Sequence, residues 1–118
     1  MCDFAGFVVP EIVKIRPVVV VARNRRNRQL VTIVPLSTTG PHSPDAYQPR
    51  LSANPLPRRQ HIACWAKCDL IATVSLSRLD RFKAGRRSYV TPSLEAADFD
   101  AIRQAIVSVL GLDDTSAP

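Results

Sequence analysis

Two apolar stretches flank a short run of arginines and asparagines, and this arrangement restricts the chain more than any other feature. Pro17-Val-Val-Val-Val-Ala22 is β-branched and continuous, and Leu30-Val-Thr-Ile-Val-Pro-Leu36 follows after Arg23-Asn-Arg-Arg-Asn-Arg-Gln29. β-Branched side chains favour extended backbone, and a polar break of this length suits a hairpin tip. The expectation is therefore an antiparallel pair. The unbroken valines suit a strand buried on both faces, and Pro35 points to an edge or a strand terminus.

Further short elements follow. His61 to Asp69 reads as a strand whose small apolar face (Ile62, Cys64, Ala66, Cys68) looks inward and whose other face carries His61, Trp65, Lys67 and Asp69. Leu70 to Val74 continues extended, Ser75 to Leu79 suits one helical turn, Arg81 to Arg87 a basic turn, and Ser88 to Thr91 a short strand. Residues 38–60 collect prolines and other turn formers and predict a long surface loop, with a short strand near Tyr47–Ser52. Phe4 to Val9 reads as a strand remnant, then a loop. At the other end, Phe99, Ile102, Ile106, Val109 and Leu110 recur at helical spacing. Ser93 is the expected N-cap, Glu95 and Asp98 suit the positive helix start, and Gly111 ends the helix. Several short strands and one terminal helix predict a mainly β, α+β domain: a small, mostly antiparallel β-barrel with a C-terminal α-helix packed on it.

Charge is distributed unevenly. Residues 1–93 hold 15 basic and 5 acidic side chains, whereas residues 94–118 hold one basic and five acidic ones. A positive body with an acidic tail suits a polyanionic partner, nucleic acid or acidic protein. No apolar run approaches the ~20 residues of a membrane span, and no signal-peptide pattern opens the chain. Three cysteines, an odd number, argue against a disulfide framework, so the cytoplasm is the expected compartment. His61, Cys64 and Cys68 have irregular spacing for zinc and no fourth ligand in sequence. No metal or cofactor is expected.

Four blocks in order resemble the PemK/MazF toxins. They are Glu11-Ile-Val-Lys-Ile-Arg16-Pro17 opening the valine run; Thr32-Ile-Val-Pro-Leu-Ser37-Thr38-Thr39; Trp65-Ala-Lys67-Cys68-Asp69-Leu-Ile-Ala-Thr73; and Ser77-Arg78-Leu79. Each is weak alone; together they cover about residues 2–110. The sequence departs from the pattern in three places. It starts at Cys2-Asp3-Phe4, where the family's first strand ends, so that strand is expected to be shortened or to start upstream. Ile-Val-Lys-Ile replaces a spacer that often contains Gly, and Ala72 stands where an Arg is common. The resemblance implies an SH3-like barrel over residues 1–112 with a short acidic tail at 113–118, and a homodimer. It also implies an endoribonuclease that cuts single-stranded RNA, and a cognate antitoxin whose disordered segment covers the basic groove.

Cleavage through the 2′-hydroxyl needs a base, cationic donors at the phosphorane oxygens and an acid for the leaving 5′-oxygen; the internal nucleophile requires no metal. The resemblance makes Arg16 the phosphate clamp, for which a forked, permanently charged guanidinium is suited. Asp69 and Lys67, two residues apart on one expected strand face, can bracket a phosphodiester. In one branch of the family the matching positions are base and acid, with Arg where this chain has Lys67. Glu11 is the alternative base, or orients Arg16; the His that precedes this Glu in one branch is here Pro10. Ser37 and Thr38 either donate to phosphate or cap a turn. Trp65 either stacks a base or sits under the long loop or at a dimer contact. Arg23, Arg25 and Arg26, with Arg28, either reach phosphates beyond the cut or form a solvated tip. Two rival readings are a non-catalytic binder of a protein target, and a degenerate nucleic-acid-binding module. A gyrase poison of the same fold family ends in Trp-Gly-Ile, unlike Gly111 to Pro118 here.

Overall fold

A computed structural model describes residues 1–9, 14–43 and 45–113. The valine run forms β1 (Val18–Arg23) and the next apolar run β2 (Leu30–Ser37), joined by the expected polar tip. The tip is held by asparagines: Asn24 Oδ1 accepts the amides of Arg26 and Asn27, and Asn27 Oδ1 accepts that of Gln29. Then come β3 (Trp65–Ala66), β4 (Ala72–Ser75), β5 (Phe82–Gly85), β6 (Ser88–Val90) and α1 (Ala96–Val109). Strand β2 is central, with β1 on one side and both β3 and β4 on the other. Strands β5 and β6 form a separate hairpin.

The mainly β class with one C-terminal helix is as expected, but the strands make a four-stranded and a two-stranded sheet rather than one closed ladder. The N-terminal segment partly bridges the difference. Cys2 pairs antiparallel with Arg16 on one side and with Leu79 on the other, and the Asp3 and Asp80 amides donate to the Arg78 and Met1 carbonyls beside it.

Several local expectations need correction. Strand β1 is not buried on both faces: it is an edge strand, half-buried along its length, with Val20 42% exposed. Pro35 lies within the central strand. The partner of β2 changes there from β3, opposite Leu36 and Ser37, to β4, opposite Leu30 to Ile33. The Pro35 carbonyl accepts the Lys67 amide in this gap, 2.8 Å. In an antiparallel strand a residue's N–H and C=O point the same way, so the missing proline N–H would face the Lys67 carbonyl, which instead accepts the Leu70 amide at 3.0 Å. The expected strand over 61–69 shrinks to Trp65–Ala66, because Cys68–Leu70 tightens into a 3₁₀ turn. Its alternation holds for buried Cys64, Ala66 and Cys68 but fails at Ile62, which is exposed. The basic stretch after Arg81 is mostly strand, with only Arg86 and Arg87 turning the chain. Ser93 does not cap α1; the cap position is Glu95, without a side-chain bond.

Each face of β2 meets a different cover. Val34 and Leu36 pack with Leu51, Cys64, Ala66 and Cys68 against Ile102 and Ala105 of α1. Of the expected helical stripe, Ile102 is fully buried and Ile106 packs at the margin, while Leu110 is 53% exposed beyond the helix end. Val31 and Ile33 on the other face pack with Val74 and with Cys2 and Phe4 of the N-terminal segment. The long loop is not wholly at the surface: Leu51, Asn54 and Leu56 are buried. It is tied to α1 by Asp98, whose carboxylate accepts the Ser52 amide at 2.9 Å and the Ser52 hydroxyl at 2.7 Å. Gly111, with φ +71°, ends the helix as expected. The Leu112 amide reaches the Val107 carbonyl and the Gly111 amide the Ser108 carbonyl, as in a Schellman cap.

Candidate functional site

The C-terminal end of β2 gathers the polar side chains. Val18 lies across from Pro35, and the Leu36 amide continues the ladder to the Pro17 carbonyl at 2.9 Å. One further step of the register puts Arg16 across from Ser37. On the other side Ser37 pairs with Trp65, which pairs with Arg50. Residues directly opposed across antiparallel strands share a face. Arg16, Ser37, Trp65 and Arg50 thus make one row, and Pro35, Lys67 and Gln48 the next. Strand spacings put the Cα atoms of Arg16 and Lys67 roughly 12 Å apart, within reach of two long side chains converging on one anion. This is the face covered elsewhere by Cys2 and Phe4, and it is opposite the helix.

Arg16 is half-buried and its backbone is clamped. The Cys2 amide donates to its carbonyl at 2.7 Å, and its own amide donates to the Cys2 carbonyl at 3.1 Å. The position of the guanidinium's root is therefore set by the N-terminal segment on one side and by the β1–β2 ladder beyond it on the other.

Lys67 and Asp69 are joined through a residue that sequence reasoning missed. Lys67 Nζ donates to Gln48 Oε1 at 2.8 Å, and Gln48 Nε2 donates to both Asp69 oxygens at 3.2 and 3.3 Å. The pairing of Ala66 N with Pro49 O and of Cys68 N with Tyr47 O holds Gln48 against Lys67. The short strand expected near Tyr47–Ser52 was the available signal. Pairing it with the 64–68 stretch sets Gln48 beside Lys67.

The remaining candidates divide. Trp65 is half-buried and packs against Gly40 of the long loop. A Cβ on Gly40 would lie 2.6 Å from two atoms of the indole, and the Arg50 guanidinium stands 5.7 Å from the ring centroid. The Ser37 hydroxyl accepts the Thr39 amide at 3.0 Å, which is turn capping, and leaves its own hydrogen for a further acceptor. Thr38 is exposed beside it. Arg23, Arg25 and Arg26 are exposed at the opposite end of β2, roughly 20 Å along the strand. They belong to no common cluster with Arg16 and Lys67. Glu11 lies outside the described residues.

The cysteines are poor nucleophiles and ligands. Burial pushes the Cys64 and Cys68 thiols up to about 11, against a contrary pull on Cys64 from a Ser37 backbone hydrogen bond and a further upward push on Cys68 from Asp69. Both are neutral at physiological pH. No group of three or more His, Cys, Asp or Glu side chains is placed to hold a metal among the described residues. An apolar cavity of about 590 Å³ runs along the outer edge of β1, lined by Val18, Val20, Leu56, Phe82, Val90 and Leu94 among others. Met1, Asp80 and Arg81 also line it, whereas Lys67, Gln48 and Asp69 do not.

Comparisons with known proteins agree with this geometry at the level of family and fold. Residues 1–110 match the PemK-like, MazF-like toxins of type II toxin–antitoxin systems. The Mycobacterium tuberculosis toxin MazF-mt6 has a similar structure, with a TM-score of 0.64 and 24% identity over 88% of this chain and 94% of that one. So does an endoribonuclease in complex with its cognate antitoxin from a mycobacterial species, with a TM-score of 0.62 and 22% identity over 96% of this chain and 90% of that one. No curated protein sequence matches the chain.

Proposed function

Because this chain belongs to the family of PemK-like, MazF-like toxins of type II toxin–antitoxin systems, we propose that it is an endoribonuclease that cuts single-stranded RNA through the 2′-hydroxyl. The observation that carries this reading is the register of β1, β2 and β3. It brings Arg16 onto the face that holds Lys67, Gln48 and Asp69.

In the proposed reaction the RNA backbone crosses the end of β2. Arg16 forks onto the non-bridging oxygens of the scissile phosphate, where charge builds in the phosphorane. A carboxylate takes the 2′-OH proton, the 2′-oxygen forms its bond to phosphorus, and the bond to the 5′-oxygen breaks. Lys67 gives its proton to that leaving oxygen. The products are a 2′,3′-cyclic phosphate and a 5′-hydroxyl, and the nucleophile comes from the substrate itself. Asp69 is the carboxylate linked to Lys67 through Gln48; Glu11 is the alternative base. Ser37 offers a hydroxyl hydrogen to phosphate beside Arg16.

We propose the remaining features of the toxin class on the same basis. A cognate antitoxin covers this basic face with an acidic or apolar segment and competes with RNA for Arg16, and the active form is a homodimer. The toxin domain spans 1–112, with 113–118 as its acidic tail. The structural likeness to an endoribonuclease solved with its antitoxin supports the partner. Expression in a bacterial host tests the reading at its simplest: the wild type arrests growth, and Arg16→Ala at equal protein level relieves the arrest. Unimpeded growth with abundant, folded wild-type protein contradicts it.

A further inference from the structure

Gln48 stands between an ammonium and a carboxylate, with each end of its amide matched to the group it faces. The carbonyl oxygen can only accept, and it takes Lys67 Nζ at 2.8 Å; the amide nitrogen can only donate, and it serves both Asp69 oxygens at 3.2 and 3.3 Å. The two contacts fix the amide's orientation. The backbone on both sides of Gln48 is also fixed, since the carbonyls of Tyr47 and Pro49 accept the amides of Cys68 and Ala66 at 3.0 Å each. Gln48 is half-buried while Asp69 is exposed, so the amide is the better-anchored member of the group.

An ammonium and a carboxylate two residues apart ordinarily close on each other as a surface ion pair. Such a pair would turn both charges inward. The intervening amide holds them apart by up to about 8 Å at full extension, the length of one amide and two hydrogen bonds. That gap is of the size a phosphodiester needs between a base on its 2′-oxygen and an acid on its 5′-oxygen.

We propose that Gln48 is a positioning residue: its side-chain amide spaces Lys67 and Asp69 and aims both at one scissile phosphate. This rests on the ribonuclease reading and assigns within it a residue that acts only through its two neighbours. No other residue type of this length does both jobs. Gln48→Glu keeps the acceptor for Lys67 but sets a carboxylate against Asp69, and Gln48→Leu keeps only the bulk.

The test measures turnover and RNA affinity for wild type, Gln48→Leu, Gln48→Glu, Asp69→Asn and the double variant Gln48→Leu with Asp69→Asn. Thermal unfolding serves as the check on folding, and Gln48→Glu stands in if the leucine variant is unstable. Both single Gln48 variants should lose about 10-fold to 100-fold in turnover at saturating RNA, with affinity changed less than about 2-fold. The double variant should turn over more slowly than Asp69→Asn alone by less than the Gln48→Leu loss in the wild-type background, because with Asp69 replaced only the positioning of Lys67 is left to lose. A merely structural role would multiply the two losses. Wild-type turnover in both Gln48 variants, or multiplied losses in the double variant, overturns the positioning role. Loss of cleavage in Arg16→Ala with normal cleavage in the Gln48 variants removes this inference alone. RNA left intact by the wild type removes the ribonuclease reading with it.

Discussion

At Arg16 the backbone and the side chain have separate duties. The backbone pairs with Cys2 and is insensitive to substitution, while the guanidinium is the phosphate clamp of the proposed reaction. Arg16→Ala should therefore unfold at the wild-type temperature yet lose about 10²–10³-fold in RNA cleavage, the usual cost of deleting one preorganised donor. Arg16→Lys should recover only part, since a point charge cannot fork across two oxygens. An equal fall in melting temperature and activity would show that the side chain is structural. Gly40 makes a second residue-level prediction. A methyl there meets the Trp65 indole at 2.6 Å, so Gly40→Ala should cost about 1–3 kcal/mol and shift the fluorescence of the single tryptophan. Unchanged emission would refute the contact. The thiols give a pH dependence with a definite sign. The unfolded chain releases their protons near 9.0, whereas Cys64 and Cys68 hold theirs to about 11 when folded. Stability from these two groups is complete below the lower value and falls as pH rises through the upper. Denaturant titrations across that window should show the decline, and it should be shallower in Cys64→Ala. Arg16 was legible as a candidate through the family resemblance, and Lys67 and Asp69 through their residue types and two-residue spacing beside it. Gln48 was not, because a neutral amide in a proline-rich loop signals nothing until its partners are known.

Among the elements, the Asp98 contact joins the long loop to α1. Asp98→Ala removes a buried carboxylate that accepts both the amide and the hydroxyl of exposed Ser52. The variant should lose about 1–3 kcal/mol, and amide exchange at Ser52 should accelerate ahead of exchange in β2. Unaltered exchange would mean that the loop is held elsewhere. The pattern of apolar runs made β1, β2 and α1 legible because each is long enough for its period to repeat. It misjudged the neighbours. Four valines look alike in a central strand and in an edge strand with a half-covered face. Pro35 looked like a terminus, because the sequence does not show that its partner strand breaks opposite it. Trp65–Ala66 is too short for alternation to fix its ends, and the 3₁₀ turn after it is set by how the chain packs under α1.

For the molecule as a whole, charge is the most legible property and the least local. Arg23, Arg25, Arg26 and Arg28 are exposed at the far end of β2 from the candidate site. If they hold RNA phosphates beyond the cut, replacing Arg25, Arg26 and Arg28 together by Gln should weaken binding and flatten its salt dependence by up to about three phosphate contacts. The cleavage rate of bound RNA should not change. A salt slope identical to wild type would mark the tip as solvated only. The fold class followed from strand and helix content, but sheet closure did not, since it depends on how far the Cys2 segment extends between Arg16 and Leu79. The central claim is that Arg16 and the Lys67–Gln48–Asp69 group act on one RNA phosphate. It is tested most directly by incubating purified wild type and Arg16→Ala with a long single-stranded RNA in EDTA and identifying the new ends. The account predicts discrete cuts by the wild type, each with a 2′,3′-cyclic phosphate and a 5′-hydroxyl, and almost none by the variant. Intact RNA, cuts with 5′-phosphate ends, or equal cutting by the variant would contradict it.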